Sequence, residues 1–150
     1  MTAPTPRIRP ASTGDGEELL ALIHAHAAFE QSCATITSKE LAALLAAPSP
    51  RTTLLVAAAP GHLLGYAALT TDFSLWRARY WAHLDCLFVH AEHRGQSVGR
   101  RLLTAAAELA RSRGADRLEW QTPEWNTPAI HFYRSCGAAG IAKVRFTLPL

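Results

Sequence analysis

A glycine-containing basic loop between a strand and a helix is the feature that most constrains the fold of this chain. The apolar run 87–89 predicts the end of a strand, and the Ala/Leu-rich stretch 97–113 predicts a long helix. Arg94 and Gly95 lie between them, and Gly99 lies in the first turn of the predicted helix. At such a junction, backbone N–H groups and the positive end of the helix dipole converge on one spot, which suits a phosphate. Glycines also ease ordinary turns, so the spacing alone leaves both interpretations open.

The loop differs from two common nucleotide-binding motifs. No Gly-Lys-Ser/Thr follows it, which excludes a Walker loop, and G-x-G-x-x-G is absent, which excludes a dinucleotide fingerprint. Its function must therefore be inferred together with the rest of the chain.

Composition indicates one globular domain over residues 1–150. The chain is 49% hydrophobic and carries a formal net charge of +3. Positive charge is mostly arginine, clustered at 94–101 and 111–117, and no tail-like basic block exists. A small polyanion explains this pattern as well as nucleic acid does, so we expect no nucleic-acid partner. We also expect no membrane association, because no apolar run is long enough to span a bilayer.

The cysteines and histidines predict a reducing environment and no metal site. Cys33, Cys86 and Cys136 are widely separated and odd in number, which favours free thiols and a cytoplasmic location. Cysteine and histidine never fall at ligand spacing, since His24 and His26 would lie on different faces of a helix.

The order of apolar patterns predicts the elements β-α-α-β-β-β-α-β-α-β. This is an α/β fold with a mixed, mostly antiparallel twisted sheet and flanking helices. Two capping boxes, Ser12 to Asp15 and Thr37 to Glu40, predict the first two helix starts, and Pro48 and Pro50 predict the second helix end. Thr127 is the predicted N-cap of the last helix, before Pro128. The predicted strands start at Ile8 and cover 53–58, 63–71, 80–89, 117–122 and 141–148.

These elements and the basic loop resemble the GCN5-related N-acetyltransferase (GNAT) superfamily. The acyl-CoA loop of that superfamily, Q/R-x-x-G-x-G/A, is matched by residues 94–99, with Ser97 where glycine is usual. Segments 73–76, 83–89 and 124–133 are similar to the diamine (spermidine/spermine) acetyltransferase branch and its thialysine-acetylating relatives. The resemblance implies the GNAT fold, acetyl-CoA as cosubstrate, and direct acetyl transfer to the primary amine of a diamine, polyamine or lysine-like molecule. It also implies a homodimer.

The resemblance assigns roles to individual residues. Tyr133 would be the general acid for the CoA thiolate, since a phenol stays protonated at neutral pH. Asp85 would help remove the amine proton through water, because a carboxylate alone is a weak base for an ammonium. The residues expected to bind the cofactor are Leu87, Phe88, Val89, Arg94, Gly95, Gln96, Ser97, Val98, Gly99, Arg100, Asn126, Ala129 and Tyr133. The residues expected to bind the substrate are Phe29, Glu30, Asp72, Trp76 and Asp85.

Several alternatives stay open at this point. Tyr133 could be a packed core aromatic, and Asp85 could be a strand carboxylate in an ion pair. Cys86 occupies a position that is acidic in the diamine enzymes, so an amino-acid or aminoglycoside amine is an alternative substrate. A non-catalytic, CoA-binding regulatory module is the alternative from another class.

Overall fold

The computed structural model describes residues 5–47 and 51–150, and its core is one five-stranded sheet in the order β1-β2-β3-β4-β5. The first four strands pair antiparallel with their sequence neighbours, and the fifth runs parallel to the fourth. The predicted α/β class with a mixed, mostly antiparallel sheet is therefore confirmed. The strands are β1 (Arg7–Pro10), β2 (Thr52–Ala59), β3 (His62–Ser74), β4 (Arg79–Val89) and β5 (Leu118–Glu119).

Helices cover both faces of this sheet. Those in the described residues are α1 (Gly16–Phe29), α2 (Ser38–Ala46), α3 (Val98–Ser112) and α4 (Thr127–Ser135). On one face α3 buries Val98, Leu102 and Ala106, whose spacing of four residues forms one apolar stripe. On the other face Leu19 of α1 and Leu41 of α2 pack around the strands. The basic loop that precedes α3 is thereby fixed at the end of β4.

Helix starts agree with the sequence where the capping signal is local. Thr37 Oγ1 accepts a hydrogen bond from the Glu40 backbone N–H (3.2 Å), and Glu40 accepts one from the Thr37 backbone N–H (2.8 Å). The prolines expected to end this helix, Pro48 and Pro50, lie outside the described residues. The N-cap predicted at Thr127 is wrong by one residue, because Asn126 Oδ1 accepts from the Ala129 N–H (3.3 Å).

The other predicted capping box is part of a larger buried cluster. Asp15 accepts hydrogen bonds from the backbone N–H (2.7 Å) and hydroxyl (2.9 Å) of Ser12, at a short 3-10 turn before α1. Both guanidinium nitrogens of Arg9 also donate to this carboxylate, at 2.7 and 2.8 Å. The bidentate pair with Arg9, together with the Ser12 hydrogen bonds, holds the pKa of Asp15 well below its usual value. The Arg9–Asp15 pair therefore links β1 to the start of α1.

A β-bulge interrupts β4 at Asp85. Ala68 pairs with Cys86 and Leu69 pairs with Leu84, so Asp85 has no partner in the β3–β4 register. Before the bulge, Leu84 packs on the α3 side of the sheet, and after it Cys86 packs on the α1 side. An extra residue shifts side-chain alternation by one and often re-aims a side chain beside a functional site.

Two predicted strands at the C-terminal end are corrected by the structure. The strand expected over 117–122 is only Leu118–Glu119, because 120–123 turn away from β4 to line a cleft. The strand expected over 141–148 is absent: these residues are exposed and pair with no described strand. A strand is stabilised by its ladder hydrogen bonds, and no sheet edge of the same chain supplies them to this segment.

None of the helices in the described part of the chain combines the length and apolar character required to cross a membrane.

Candidate active site

A cleft of about 770 Å³ opens where β4 and β5 diverge. The two strands pair only at Ala82 with Leu118 and at His83 with Glu119. Beyond that point β4 has no β5 partner, so its outer edge from Asp85 to Val89 faces the cleft. Residues 120–123 and α4 form the opposite wall, and the end of α1 closes one side. The short pairing thus creates a groove beside unpaired backbone groups.

The basic loop and the first turn of α3 line one part of this cleft. The first N–H groups of a helix have no intrahelical acceptor, and those of 98–100 are at the positive end of a 15-residue helix. Gly95 has φ +73°, a conformation that costs glycine little. Ser97 also has a positive φ, +62°, where an L side chain is strained. The loop therefore presents donors suited to a phosphate, at the expense of strain at one serine.

Two arginines of the loop are held by neighbours rather than pointing freely into solvent. Arg94 Nε donates to Val89 O (3.0 Å), and its guanidinium lies 4.7 Å from the centre of the Phe29 ring. The Arg100 guanidinium donates to Ser135 in α4, with Nη2 3.2 Å from the hydroxyl. These contacts fix positive charge on both sides of the loop and tie it to α1 and α4.

Tyr133 lies on the α4 wall of the cleft. Its ring packs against Trp120 and Phe132, with ring centres 5.0 and 5.2 Å away. Burial, with smaller contributions from Glu30 and Cys136, raises the pKa of Tyr133 to about 12. The phenol is therefore protonated at neutral pH and can donate a proton to a group in the cleft.

Close packing brings α3, α4 and β4 together around this tyrosine. A Cβ atom at Gly99 would lie 3.3 Å from the Phe132 ring and 3.7 Å from Val89. Asn126 is 6% exposed, caps α4 and lines the cleft. These two residues fix the position of α4 relative to the loop.

Two carboxylates, Glu30 and Asp85, are the acidic side chains among the described residues of the cleft lining. Asp85 protrudes from the bulge, its side chain 62% exposed, with Oδ1 3.7 Å from His83 Nε2. Glu30 follows the last residue of α1, and its Oε1 lies 3.5 Å from His26 Nε2. A cationic amine entering this part of the cleft would meet two negative groups.

Cys86, adjacent to Asp85, does not line the cleft. It packs on the α1 side in the same cluster as Tyr66, and its Sγ lies 3.7 Å from Asp85 Oδ2. Burial, with the Asp85 charge, raises the pKa of Cys86 to about 11. A neutral buried thiol is a poor nucleophile, so these surroundings argue against an acyl-cysteine step.

Most of the residues predicted from the resemblance are brought together. The predicted residues that line the cleft are Phe29, Glu30, Asp85, Leu87, Phe88, Val89, Arg94, Gly95, Ser97, Val98, Gly99, Arg100, Asn126, Ala129 and Tyr133. Gln96, Asp72 and Trp76 are not among them. Gln96 instead donates to Glu92 O (3.2 Å), and Trp76 is 99% exposed. Asp72 and Trp76 lie toward the tip of the long β3–β4 hairpin, whose turn is about 20 Å along the strand from Asp85.

Among the cleft-lining residues that were absent from the sequence prediction, three carry ionisable side chains. His26, His83 and Arg145 all contribute to the cleft wall. His26 precedes Glu30 by four residues in a predicted helix, a spacing that places both on one face and could have singled it out. Arg145 lies in the segment predicted as a strand, and nothing in the sequence linked that segment to the site.

A cluster of two histidines and one glutamate lies outside the cleft lining. His90, Glu92 and His93 hold ligand atoms within 4.8 Å of one another, which the linear spacing did not predict. His90 Nδ1 and Glu92 Oε2 are 3.7 Å apart on the surface. The residues of the cleft itself offer a different chemistry: an anion-binding loop, a protonated phenol and a pair of carboxylates.

Comparison with known proteins agrees with this geometry. The model for the Acetyltransferase (GNAT) family matches residues 19–138. A thialysine N-epsilon-acetyltransferase of Bos taurus is 30% identical over 146 residues, 91% of this chain and 85% of its own length. A streptothricin acetyltransferase of Streptomyces lavendulae is 39% identical over 87 residues, 58% of this chain and 44% of its own.

Solved structures support the same fold. An aminoglycoside acetyltransferase from an uncultured soil metagenomic sample, in complex with sisomicin, superimposes with a TM-score of 0.81 at 21% identity, covering 97% of each chain. With the family match over 19–138, the five-stranded sheet and the loop at the start of α3, this chain belongs to the acetyltransferase (GNAT) family and is an acyltransferase of the N-acetyltransferase type.

Proposed function

We propose that this enzyme transfers the acetyl group of acetyl-CoA directly to the primary amine of a diamine, polyamine or lysine-like molecule. One observation carries the proposal: a single cleft holds an anion-binding loop, Tyr133 and the carboxylates of Glu30 and Asp85. A phosphate-bearing cosubstrate needs the anion-binding loop, and a cationic amine needs the carboxylates. Both must lie within reach of one proton donor.

The loop supplies the contacts that a CoA pyrophosphate requires. The free N–H groups of the first turn of α3 would donate to phosphate oxygens, and Arg100 would add charge beside them. The unpaired edge of β4 at Leu87 to Val89 would hydrogen bond to the pantetheine arm, whose amides resemble a peptide strand. Asn126 and Ala129 would contact the same arm from α4. The fold would thus position the thioester between β4 and α4.

Tyr133 would act when the tetrahedral intermediate, formed by attack of the amine on the thioester, collapses. Its protonated phenol would donate to the departing thiolate, and the proton would be restored from the new amide nitrogen through water. Glu30 and Asp85 would hold the ammonium and orient its nitrogen toward the thioester carbon. We propose no metal step, since neither proton transfer nor positioning requires one here.

The relatives favour small cationic amines as substrates. Names of the relatives include thialysine and streptothricin, and the fold neighbour was solved with sisomicin. Thialysine is lysine-like, which agrees with two carboxylates beside the apolar side chains of Phe29 and Phe88. An aminoglycoside or amino-acid amine is the second candidate, because Cys86 occupies a position that is acidic in the diamine branch.

The experiment is a CoA-release assay with acetyl-CoA and a panel of spermidine, putrescine, lysine, thialysine and sisomicin. We expect release with at least one lysine-like or polyamine substrate. Tyr133→Phe should lower kcat about 10²-fold or more with little change in CoA affinity. Tyr80→Phe is the matched control, since Tyr80 is exposed near the hairpin tip, and it should match the wild type.

The alternative of a regulatory CoA-binding module makes a different prediction. It requires CoA to raise the thermal stability of the protein while no amine of the panel gives release. Release with sisomicin alone would instead establish the aminoglycoside alternative.

The segment 141–150 supports a homodimer. Val144, Phe146 and Leu148 alternate with polar residues and are 78, 91 and 81% exposed, the pattern of a strand with one face to bury. No described strand pairs with this segment, and the outer edge of β5 is also unpaired. Two copies that exchange the segment would satisfy both edges in a closed, symmetric dimer. Arg145 lines the cleft, so the interface would border the site.

Sedimentation velocity tests the dimer. The wild type should sediment as twice the 16.3 kDa chain, and Phe146→Asp should be a monomer. Leu75→Asp is the control, because Leu75 is 84% exposed in the hairpin turn and should leave the dimer intact. A monomeric wild type, or a dimeric Phe146→Asp variant, would contradict the exchange.

The core clusters and the cysteines bear on domain organisation, cellular location and partners. We infer a single domain over 1–150, because both core clusters share one sheet. The free thiols of Cys33, Cys86 and Cys136 favour a reducing, cytoplasmic environment, and we propose no nucleic-acid or membrane partner.

A further inference from the structure

His26 occupies a position in the cleft that the proposed reaction leaves without a role. Its side chain, 14% exposed, projects from α1 between the sheet and the cleft lining. The ring stacks on Phe88, with centres 5.0 Å apart and planes inclined by 20°. One nitrogen, Nδ1, lies 2.8 Å from the Tyr66 hydroxyl, and the other, Nε2, lies 3.5 Å from Glu30 Oε1. The imidazole therefore connects a buried tyrosine to the carboxylate end of the cleft.

Contacts on the sheet side are satisfied when Nδ1 of His26 carries the proton. Cys86 Sγ donates to Asp85 Oδ2 at 3.7 Å, and the Tyr66 hydroxyl interacts with Cys86. If the tyrosine proton is donated to the sulfur, its oxygen is an acceptor, and Nδ1–H of His26 supplies the matching donor. Each hydrogen in this series of contacts then points toward the Asp85 carboxylate, which can only accept. The lone pair of Nε2 is left facing the cleft.

We propose that His26 Nε2 is the base that removes the proton from the substrate ammonium, with Glu30 and Asp85 holding the cation beside it. This assignment rests on the proposed N-acetyltransferase function and adds the proton acceptor that the carboxylates alone supply poorly. Nε2 and Glu30 Oε1, 3.5 Å apart, are two acceptors that one ammonium can bridge.

The step balances with the groups named. The N–H bond of the ammonium breaks and the proton forms Nε2–H, which gives an imidazolium and a neutral amine. The amine lone pair forms the C–N bond, the C–S bond breaks, and the thiolate takes the proton of Tyr133. The second amine proton restores Tyr133 through water, and the imidazolium releases its proton to solvent. The net products are the amide, the CoA thiol and one proton.

The charges around His26 agree with a base that is neutral before substrate binds. Burial lowers the pKa of His26, and Arg94 lowers it further. Glu30 and Asp85 act in the opposite direction, while the neutral Tyr66 and Cys86 face it from the sheet. A neutral imidazole accepts a proton near physiological pH far better than a carboxylate does.

The test compares kcat/KM for His26→Gln and the wild type from pH 6 to pH 10, with the panel amine that gives the fastest release. For the wild type we expect a plateau near neutral pH. For His26→Gln we expect a loss of about 10²-fold at pH 7 and a tenfold rise per pH unit toward pH 9, because this variant must use the rare free amine. His24→Gln, two residues away and exposed on another face of α1, should follow the wild type.

Two results would overturn the assignment. One is a His26→Gln variant that equals His24→Gln at pH 7; the other is a defect of equal size at pH 7 and pH 10, which a structural role produces. Nitrogen NMR of His26 in the wild type provides a measurement that does not depend on turnover or on the stability of a variant. Protonation at Nδ1 in the free enzyme is expected, and a neutral ring protonated at Nε2 would refute the arrangement. Absence of wild-type turnover with every amine would instead refute the proposed function.

Discussion

The strained serine of the basic loop gives the sharpest stability prediction. Ser97 has φ +62°, and its hydroxyl makes no capping hydrogen bond to α3. A left-handed conformation costs a non-glycine residue roughly 1 to 2 kcal/mol. Glycine would remove that cost but would lose roughly 0.5 to 1 kcal/mol more conformational entropy on folding. Ser97→Gly should therefore stabilise the protein by about 0.5 to 1 kcal/mol, a rise in Tm of about 2 °C for a chain of this size.

Thermal unfolding with and without CoA is the assay. Since the substitution keeps the backbone and its N–H groups in place, the Kd for CoA should stay within about twofold of the wild-type value. Ala78→Gly is the matched control, because Ala78 also has a positive φ, +48°, but lies in the hairpin turn away from the cleft. Ala78→Gly should raise Tm without changing the Kd for CoA.

Two outcomes would refute this reasoning. A fall in Tm for Ser97→Gly while Ala78→Gly gains stability would mean that the Ser97 conformation is not strained. Weakening of CoA binding by tenfold or more would mean that the serine hydroxyl, rather than the backbone alone, holds the phosphate.

Two further predictions concern the scaffold around the site. Asp15→Asn should lower the free energy of unfolding by about 2 kcal/mol at pH 7, since it breaks the buried pair with Arg9. Because the pKa of Asp15 is depressed in the folded state, the stabilisation by this pair is present above about pH 4 and is lost as pH falls toward the folded-state pKa. Urea unfolding should therefore show a smaller difference in stability between variant and wild type at pH 3 than at pH 7. Gly65→Ala should cost about 2 kcal/mol in the same assay, because its Cβ would lie 2.4 Å from Phe88 O, whereas Gly140→Ala, with open space around it, should be neutral. A Gly65→Ala variant as stable as Gly140→Ala, or an Asp15→Asn deficit that is unchanged at pH 3, would contradict these accounts.

Sequence reasoning succeeded where the signal was local or was carried by the family resemblance. The Thr37 box and the stripe of α3 depend on neighbours three or four residues away, and both were confirmed. The GNAT assignment was confirmed by the family match, although its loop departs from the usual pattern at Ser97. The position of Tyr133 beside the loop depended on the resemblance rather than on any spacing.

The features that were missed depend on distant residues. The hydrogen-bond partner of His26 is Tyr66, forty residues away, so the sequence did not reveal this contact, although the four-residue spacing of His26 and Glu30 was visible. The bulge at Asp85 depends on the register with β3, which alternation alone does not specify. The strand expected at 141–148 was wrong because alternation predicts a face to bury but not the edge that would pair with it.

The brief contact between β4 and β5 has a consequence for how the fold opens. Two register pairs and the hydrogen bonds beside them, Ala82 N–H to Arg117 O and Asp116 N–H to Tyr80 O, join 116–119 to the main sheet. Local opening in proteins follows such sparsely bonded boundaries, so the region from β5 through α4 should exchange its amide hydrogens sooner than β2 and β3 do. A ligand that spans the cleft would contact both the main sheet and the region from β5 through α4, and its binding would stabilise the closed arrangement of the two. We therefore expect the groove proposed to bind CoA to be also the boundary along which the molecule first opens.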